Sequence, residues 1–131
     1  MTRYMLDTNT VSDVMKENAA VCSRMEATPM ASLCISAITL GELRFGIAKR
    51  KAPKLERALE EFLMRVDVLP WDASVAEKYG VLRTVLESGG CKIGNLDMLI
   101  AGHALGVGAV LVTSDRAFSQ VGGLKVENWR G

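Results

Sequence analysis

Two acidic residues come directly after short apolar segments of this sequence. Asp7 follows the strand-like residues 4–6, and Asp115 follows a second strand-like run over residues 110–113, with Ser114 between them. In a parallel α/β sheet the carboxyl ends of the strands border the ligand crevice, so acids at these positions are well placed for chemistry. The alternative for Asp7 is a simple helix N-cap. If the two strands are neighbours, their ends lie only about 5 Å apart, and the two carboxylates can share one cation.

Two further acids lie on predicted helices beside apolar residues. Asp97 precedes Ile100 by three positions, and Glu42 shares a helical face with Ile38 and Phe45. A carboxylate on a face that turns toward the core is costly unless a partner neutralises it. The alternative for Asp97 is a first-turn acid favoured by the helix dipole. The alternative for Glu42 is a salt bridge to a nearby Arg or Lys.

Together these four acids indicate a metal site. Anions that meet in one crevice repel one another and become partly protonated unless a divalent cation neutralises them. Oxygen ligands without a nearby Cys or His select a hard ion, Mg²⁺ or Mn²⁺. Such sites chiefly catalyse phosphoryl chemistry, in which the metal activates a water and stabilises the leaving oxygen. The candidate ligands Asp7, Glu42, Asp97 and Asp115 therefore predict a metal-dependent phosphoesterase, and among these they favour a nuclease.

Strand-like and helical segments alternate along the chain. The predicted strands cover residues 4–6, 33–35, 68–70 and 110–113, with a fifth at the edge over residues 125–127. The intervening segments carry helical periodicity, and the predicted helix over residues 96–105 ends at Gly106. This order predicts a three-layer α/β/α sandwich around a mostly parallel sheet of four or five strands. The chain has no repeat, linker or low-complexity segment, so we expect a single domain over residues 1–131.

The composition narrows the class of protein. A chain of 131 residues with 49% apolar residues can bury a core, and a net charge of +1 excludes a polybasic tail as its main feature. Three widely spaced cysteines and no apolar leader predict a reduced, cytoplasmic protein without a membrane span. The basic residues Arg44, Lys49, Arg50 and Lys51 are either contacts for RNA phosphates or a solvated helix end, and the sequence favours neither.

The four acids lie in motifs that resemble those of the PIN-domain family, and more closely its VapC-type toxin ribonucleases. The motifs span nearly the whole chain, and they are Leu6-Asp7-Thr8-Asn9, Ser36-x-x-Thr39-x-x-Glu42-Leu43-x-x-Gly46, Ile93-Gly94-x-x-Asp97-x-Leu99-Ile100-Ala101 and Leu111-Val112-Thr113-Ser114-Asp115-x-x-Phe118. The last motif departs from the family, which often has Asn where Ser114 stands. Asp115 is therefore expected to act directly on the metal or through a water.

The resemblance implies a PIN-like fold and a Mg²⁺-dependent endoribonuclease that cuts structured RNA such as tRNA. Asp7 and Asp97 would hold the metal, and Glu42 and Asp115 would complete the acidic pocket. The hydroxyl residues Thr8, Thr113 and Ser114 would orient ligands or the attacking water. The family further implies a homodimer that is neutralised by a cognate VapB-type antitoxin and contacts DNA only through that antitoxin.

Other interpretations remain open from the sequence. Residues 6–10 are similar to the opening motif of haloacid-dehalogenase-type phosphatases, although Asn9 replaces the second Asp which that chemistry requires. A non-catalytic module that only binds an antitoxin helix is the other alternative. The only histidine, His103, lies some 120° around its predicted helix from Asp97, which favours a packing role over a general base. Gly41 and Gly46, inside one predicted helix, indicate close packing against another helix or a partner.

Overall fold

A five-stranded, fully parallel sheet forms the centre of the protein. The computed structural model describes residues 1–131. The strands are β1 (Tyr4–Leu6), β2 (Leu33–Ser36), β3 (Asp67–Leu69), β4 (Val110–Val112) and β5 (Val126–Glu127). Their order across the sheet is β3-β2-β1-β4-β5, and every neighbouring pair is parallel. The first strand of the sequence therefore lies in the middle of the sheet, between β2 and β4.

Six helices connect the strands. They are α1 (Thr8–Met15), α2 (Ala19–Glu26), α3 (Ala37–Arg50), α4 (Pro53–Leu63), α5 (Ala73–Ser88) and α6 (Asn95–Val107), with short 3-10 helices at Met30–Ser32 and Arg116–Gln120. Several begin where the sequence supplies a side-chain acceptor for a free backbone N–H. Ser36 accepts from Ile38 N and Asp72 accepts from Val75 N, at 3.1 and 3.0 Å. None of the helices combines the length and the apolar character that crossing a bilayer requires.

Apolar side chains cover both faces of the sheet. In β1, Leu6 joins a core cluster with residues of α1, α2 and α4, whereas its neighbour Met5 joins a second cluster with residues of α6. Alternate residues of a strand point to opposite faces, so both faces of this central strand are buried. The predicted three-layer α/β/α arrangement with a parallel sheet is thus confirmed, and the sheet has the larger of the two predicted strand numbers.

The end of α6 differs from the prediction. The helix continues past Gly106 to Val107 and ends at Gly108, whose φ of 69° lies in the left-handed region that suits glycine. At Gly106 a Cβ would lie 3.7 Å from Val75, so this residue packs against α5 inside the helix. Closer still, a Cβ at Gly102 would lie 3.1 Å from the Cβ of Tyr79. Gly102 and Gly106 therefore serve helix packing, and Gly108 ends the helix.

Candidate active site

Asp7 and Asp115 lie at the carboxyl edge of the sheet. Leu6 of β1 pairs with Val112 of β4, and the Asp7 N–H donates to the Val112 carbonyl at 3.0 Å. The two strands are therefore neighbours, which is the condition under which Asp7 and Asp115 can share one cation. Asp7 is buried, and its Oδ1 accepts from the Thr10 N–H at 2.8 Å. The N-cap interpretation of Asp7 is therefore also correct, because one residue caps α1 and places its carboxylate at the strand end.

Asp115 caps the 3-10 helix that follows β4. Its Oδ1 accepts from Ala117 N at 2.9 Å, and its own N–H donates to Thr113 Oγ1 at 3.0 Å. These two bonds fix the backbone around a half-buried carboxylate. The tight turn after β4 thus presents Asp115 beside the end of β1.

The other two candidate acids come from helices. Asp97 lies in the first turn of α6 and Glu42 lies in the middle of α3, and both are half-buried. Thr8 Oγ1, in the first turn of α1, donates to Glu42 Oε1 at 2.7 Å. A hydrogen bond to a carboxylate at this distance is of the stronger, charge-assisted kind. Glu42 is therefore tied to the segment that carries Asp7.

Electrostatics place the four acids in one cluster. Burial raises the pKa of the Asp97 carboxyl, and three neighbouring carboxylates raise it further. These are Asp115, Glu42 and Asp7, in decreasing order of effect. Burial also raises the pKa of Asp7, while hydrogen bonds from Thr113 and Thr10 oppose that rise. Four separate segments of the chain thus bring negative charge to one place.

The cluster offers only oxygen ligands. No three carboxylate, imidazole or thiolate groups are arranged, as the side chains stand, to hold one metal ion together. The donor set nevertheless fits a hard divalent cation, because the other three carboxylates raise the pKa of Asp97 and clustered carboxylates are stabilised by positive charge. Asp97, Glu42 and Asp115 are only half-buried, which leaves their side chains room to reorient.

The predicted core-facing position of Glu42 is wrong. Phe45, on the same face of α3, is 67% exposed, and the helix instead buries Thr39 and Leu43. No Arg or Lys forms a salt bridge with Glu42, so that alternative is wrong as well. The part of this face around Phe45 is uncovered, and Glu42, which is bonded to Thr8 of α1, borders an open groove.

The predicted close packing of the α3 glycines is also wrong. A Cβ at Gly41 or Gly46 would meet no atom within 4 Å. Gly41 is exposed, whereas Gly46 is half-buried and lines a cavity that residues of α1 and α4 share.

Two of the three hydroxyl residues predicted to support the site contact its acids. Thr8 donates to Glu42, and Thr113 hydrogen-bonds Asp7 while accepting from the backbone of Asp115. The side chain of Ser114 makes no hydrogen bond within the chain. Thr10 was not singled out from the sequence, although its hydroxyl donates to the Val112 carbonyl at 3.0 Å and links α1 to β4. Its position three residues after the Asp7 cap is the signal that could have identified it.

The basic residues near the end of α3 do not form one patch. Arg50 lines a cavity of about 240 Å³ together with Thr8 and Glu42. Arg44 and Lys51 line a different cavity, shared with the start of α4. The Lys49 ammonium lies 5.9 Å from the centre of the Phe45 ring. Of the four predicted phosphate contacts, Arg50 is thus the one that shares a cavity with a candidate acid.

His103 has a packing role, as its helical position predicted. It is fully buried, and its Nδ1 lies 2.7 Å from Ser36 Oγ. The imidazole joins α6 to the end of β2 inside the core. A general-base role for His103 is therefore not supported.

Fold and site together define a parallel α/β protein with an acidic cleft at the carboxyl edge of its sheet. The PIN domain family matches residues 4–124. A Shigella flexneri protein named tRNA(fMet)-specific endonuclease VapC is 38% identical over 131 residues, which cover 98% of this chain and 99% of that protein. Ribonuclease VapC2 of Rickettsia felis is 38% identical over 130 residues, covering 96% of this chain and 97% of that protein.

Solved structures give the same result. A crystal structure of VapBC2 from Rickettsia felis, bound to a DNA fragment from its promoter, matches with a TM-score of 0.91 and 35% identity, covering 98% of this chain and 99% of that one. DNA-bound VapBC from Salmonella typhimurium matches with a TM-score of 0.87 and 36% identity, with the same coverage of both chains. The chain belongs to the PIN-domain family and, within it, to the VapC ribonucleases of toxin–antitoxin systems. The family resemblance predicted from the four sequence motifs is confirmed.

Proposed function

We propose that this chain is the toxin of a toxin–antitoxin pair and acts as a metal-dependent endoribonuclease, with residues 1–131 forming one catalytic domain. Asp7 and Asp97 hold Mg²⁺, for which Mn²⁺ can substitute, and Glu42 and Asp115 complete the pocket. The observation that carries the proposal is the convergence of four acids at one edge of the sheet: Asp7 and Asp115 follow the neighbouring strands β1 and β4, Glu42 is bonded to Thr8 beside Asp7, and the raised pKa of Asp97 reports all three as neighbours. The causes of this raised pKa are burial and the charges of all three other acids, which come from different parts of the chain. Membership of a ribonuclease family supports the proposed endoribonuclease activity.

The residues around the metal have separate tasks. When bound, the cation activates a water and stabilises the oxygen that leaves phosphorus. Thr8 holds Glu42 in place through the 2.7 Å hydrogen bond. Thr113 accepts from the backbone N–H of Asp115 and lowers the pKa of Asp7, so its hydroxyl supports both strand-end acids. Ser114, whose hydroxyl has no partner within the chain, is free to orient the attacking water.

The proposed substrate is RNA, with tRNA as the first candidate. Relatives that match over nearly their whole length are named for tRNA(fMet)-specific cleavage, which supports this choice. Arg50 lies on the cavity that also contains Thr8 and Glu42, a suitable position for a phosphate contact. Arg44 and Lys51 line a separate cavity and would contact more distant phosphates, and Lys49 is a further candidate for a phosphate contact.

The proposed partner is a cognate VapB-type antitoxin. Solved relatives are VapBC complexes, two of them bound to DNA, and we propose that this chain contacts DNA only through its antitoxin. We further propose that the chain works as a homodimer in the cytoplasm.

RNA cleavage by the purified chain tests the proposal. We expect cleavage of a tRNA pool with Mg²⁺ or Mn²⁺ and none with EDTA. Asp7→Ala and Asp97→Asn should each lower the rate by at least about a hundredfold, whereas Glu60→Gln, at an exposed carboxylate on α4, should match the wild type. Cleavage that persists in EDTA, or that survives Asp7→Ala, would contradict the proposal.

The non-catalytic alternative is tested in the same experiment. If Asp7→Ala abolishes growth inhibition but still forms the antitoxin complex, catalysis is the toxic activity. If the variant stays fully toxic, binding alone is the function. The phosphatase alternative is disfavoured by the PIN family match, and a covalent phosphoenzyme trapped at Asp7 would be needed to restore it.

A further inference from the structure

A shallow apolar groove leads away from the candidate active site along α3. Its volume is about 570 Å³. Thr8 and Glu42 lie at one end, and Ile38, Gly41, Phe45 and Leu96 form most of its walls and floor. Leu96 directly precedes Asp97, so the groove borders a second acid of the cluster besides Glu42. Anything bound there would lie next to the reacting phosphate.

The groove is lined by apolar side chains that nothing in the chain covers. Phe45 is 67% exposed and Leu96 is 49% exposed. Gly41, between them, leaves open space where any other residue would place a Cβ. Single exposed apolar residues are ordinary on protein surfaces. Here, however, an aromatic ring, an aliphatic side chain and a glycine lie together beside the acidic cluster, and together they form a binding groove.

The charged residues near the groove indicate which kind of ligand it binds. Phe45 lies three residues after Glu42 and four before Lys49, whose ammonium is 5.9 Å from the centre of the ring. Arg50, at the next position of α3, lines the neighbouring cavity with Thr8 and Glu42. An aromatic ring beside a Lys, with an Arg in the neighbouring cavity, suits single-stranded nucleic acid, in which bases stack and phosphates pair with Lys or Arg. A purely apolar occupant would gain nothing from these cations.

We propose that Phe45 is the stacking platform for a nucleobase next to the scissile phosphate, and that Lys49 contacts the phosphate of that nucleotide. The proposal rests on the ribonuclease function proposed above and deepens it by naming a residue that binds substrate. Because every base has a flat face, Phe45 contributes mainly to affinity, and it helps select RNA whose nucleotide at this position is unpaired.

The test measures kcat and KM on an oligoribonucleotide that contains a tRNA anticodon stem and loop. Phe45→Leu keeps an apolar side chain but removes the aromatic face, and Phe45→Trp keeps the face. We expect Phe45→Leu to raise KM about 5- to 150-fold with little change in kcat, the effect of one lost base stack. Phe45→Trp should stay near the wild type. Met64→Ala is the matched control, because Met64 is 82% exposed and lies outside the groove.

A second measurement identifies the base. The same oligonucleotide is made with one abasic nucleotide at a time around the cleavage position, which keeps the phosphates and removes a single base. At one position the missing base should raise KM for the wild type but not for Phe45→Leu, because the two changes remove the same contact. Additive effects at every position would overturn the proposal.

Other results separate the rival explanations. If the wild type cleaves RNA and Phe45→Leu has an unchanged KM, the stacking proposal fails while the ribonuclease function stands. If Phe45→Leu changes the elution volume on size-exclusion chromatography or only weakens antitoxin binding, the groove is a protein interface and the proposal is wrong. If the wild type cleaves no RNA with Mg²⁺ or Mn²⁺, both proposals fail together.

Discussion

Thr8 and Glu42, which lie 34 positions apart, are joined by a hydrogen bond of 2.7 Å between Thr8 Oγ1 and Glu42 Oε1. Thr8 directly follows the buried Asp7, so the bond ties an acid on α3 to the end of the central strand. Both partners are only partly buried, and no cation neutralises Glu42 within the chain. The hydroxyl is therefore the group that orients this carboxylate.

Thr8→Val should lower the rate of RNA cleavage about 10- to 100-fold. The change keeps the shape of the side chain but removes the donor to Glu42, and partners that orient metal-site carboxylates typically contribute this much. Thr8→Ser retains the hydroxyl and should stay close to the wild type. Initial rates at saturating Mg²⁺ provide the measurement, and equal rates for Thr8→Val and Thr8→Ser would contradict the role given to this bond.

Asp97→Asn should make the metal-free protein more stable at neutral pH while abolishing activity. Burial and three neighbouring carboxylates raise the pKa of Asp97, so its charge is unfavourable in the folded state. A carboxyl whose pKa is raised on folding loses stability as the pH rises from its unfolded value through its folded value. Asparagine removes that loss, and thermal unfolding in EDTA at pH 7 and pH 4 should show a gain only at the higher pH.

Addition of Mg²⁺ should make the wild type more stable than Asp97→Asn. A ligand that binds only the folded state raises Tm, so the wild type should gain stability with Mg²⁺ and Asp97→Asn should gain much less. Glu60→Gln, which changes an exposed carboxylate of α4, should respond to Mg²⁺ like the wild type. An equal Tm increase in all three proteins would show that the ion binds elsewhere.

His103→Gln should reduce the loss of unfolding free energy that occurs as the pH falls below neutral. Burial lowers the pKa of His103 from its ordinary value of about 6.5, although the charge of Asp72 opposes the shift. Below that value the unfolded chain binds more protons at this residue than the folded chain, so stability is lost as the pH falls. Urea unfolding at pH 7.5 and pH 5.5 measures the difference. Parallel profiles for wild type and variant would contradict the expectation.

Gly102→Ala should destabilise the protein, and Gly80→Ala should not. A Cβ at Gly102 would lie 3.1 Å from Tyr79 Cβ and 3.2 Å from Tyr79 Cα, so α5 and α6 would have to move apart. Overpacking of this kind costs about 1–3 kcal/mol. At Gly80, on α5, a Cβ meets no atom within 4 Å, and alanine should add about 0.5–1 kcal/mol of helix stability. Urea unfolding of both variants checks the contrast.

Local sequence patterns determined most of the secondary structure. The apolar segments at residues 4–6 and 110–112 are strands, and Ser36 and Asp72 cap helices. These signals act over a few residues, because they depend on side-chain alternation and on free N–H groups at a helix start. The placement of Asp7 and Asp115 at strand ends follows from the same local signals.

The exposure of a helix face could not be predicted in this way. The spacing of Ile38, Glu42 and Phe45 indicated a core-facing stripe, yet Phe45 is 67% exposed. Periodicity shows which residues share a face, but the neighbouring elements decide whether that face is covered. The same reason explains Gly41 and Gly46, which predicted close packing although a Cβ at either position would meet no atom within 4 Å.

By itself, the sequence determined the strands, the helices, the order of the acidic motifs and the family they resemble, since each depends on residues close together in the chain. Only the tertiary structure decided which distant groups meet. Thr8 contacts Glu42, His103 contacts Ser36 across 67 positions, and Arg130 pairs with the buried Asp13 across 117 positions. Such contacts arise from how the layers pack around the sheet, and no local pattern encodes them.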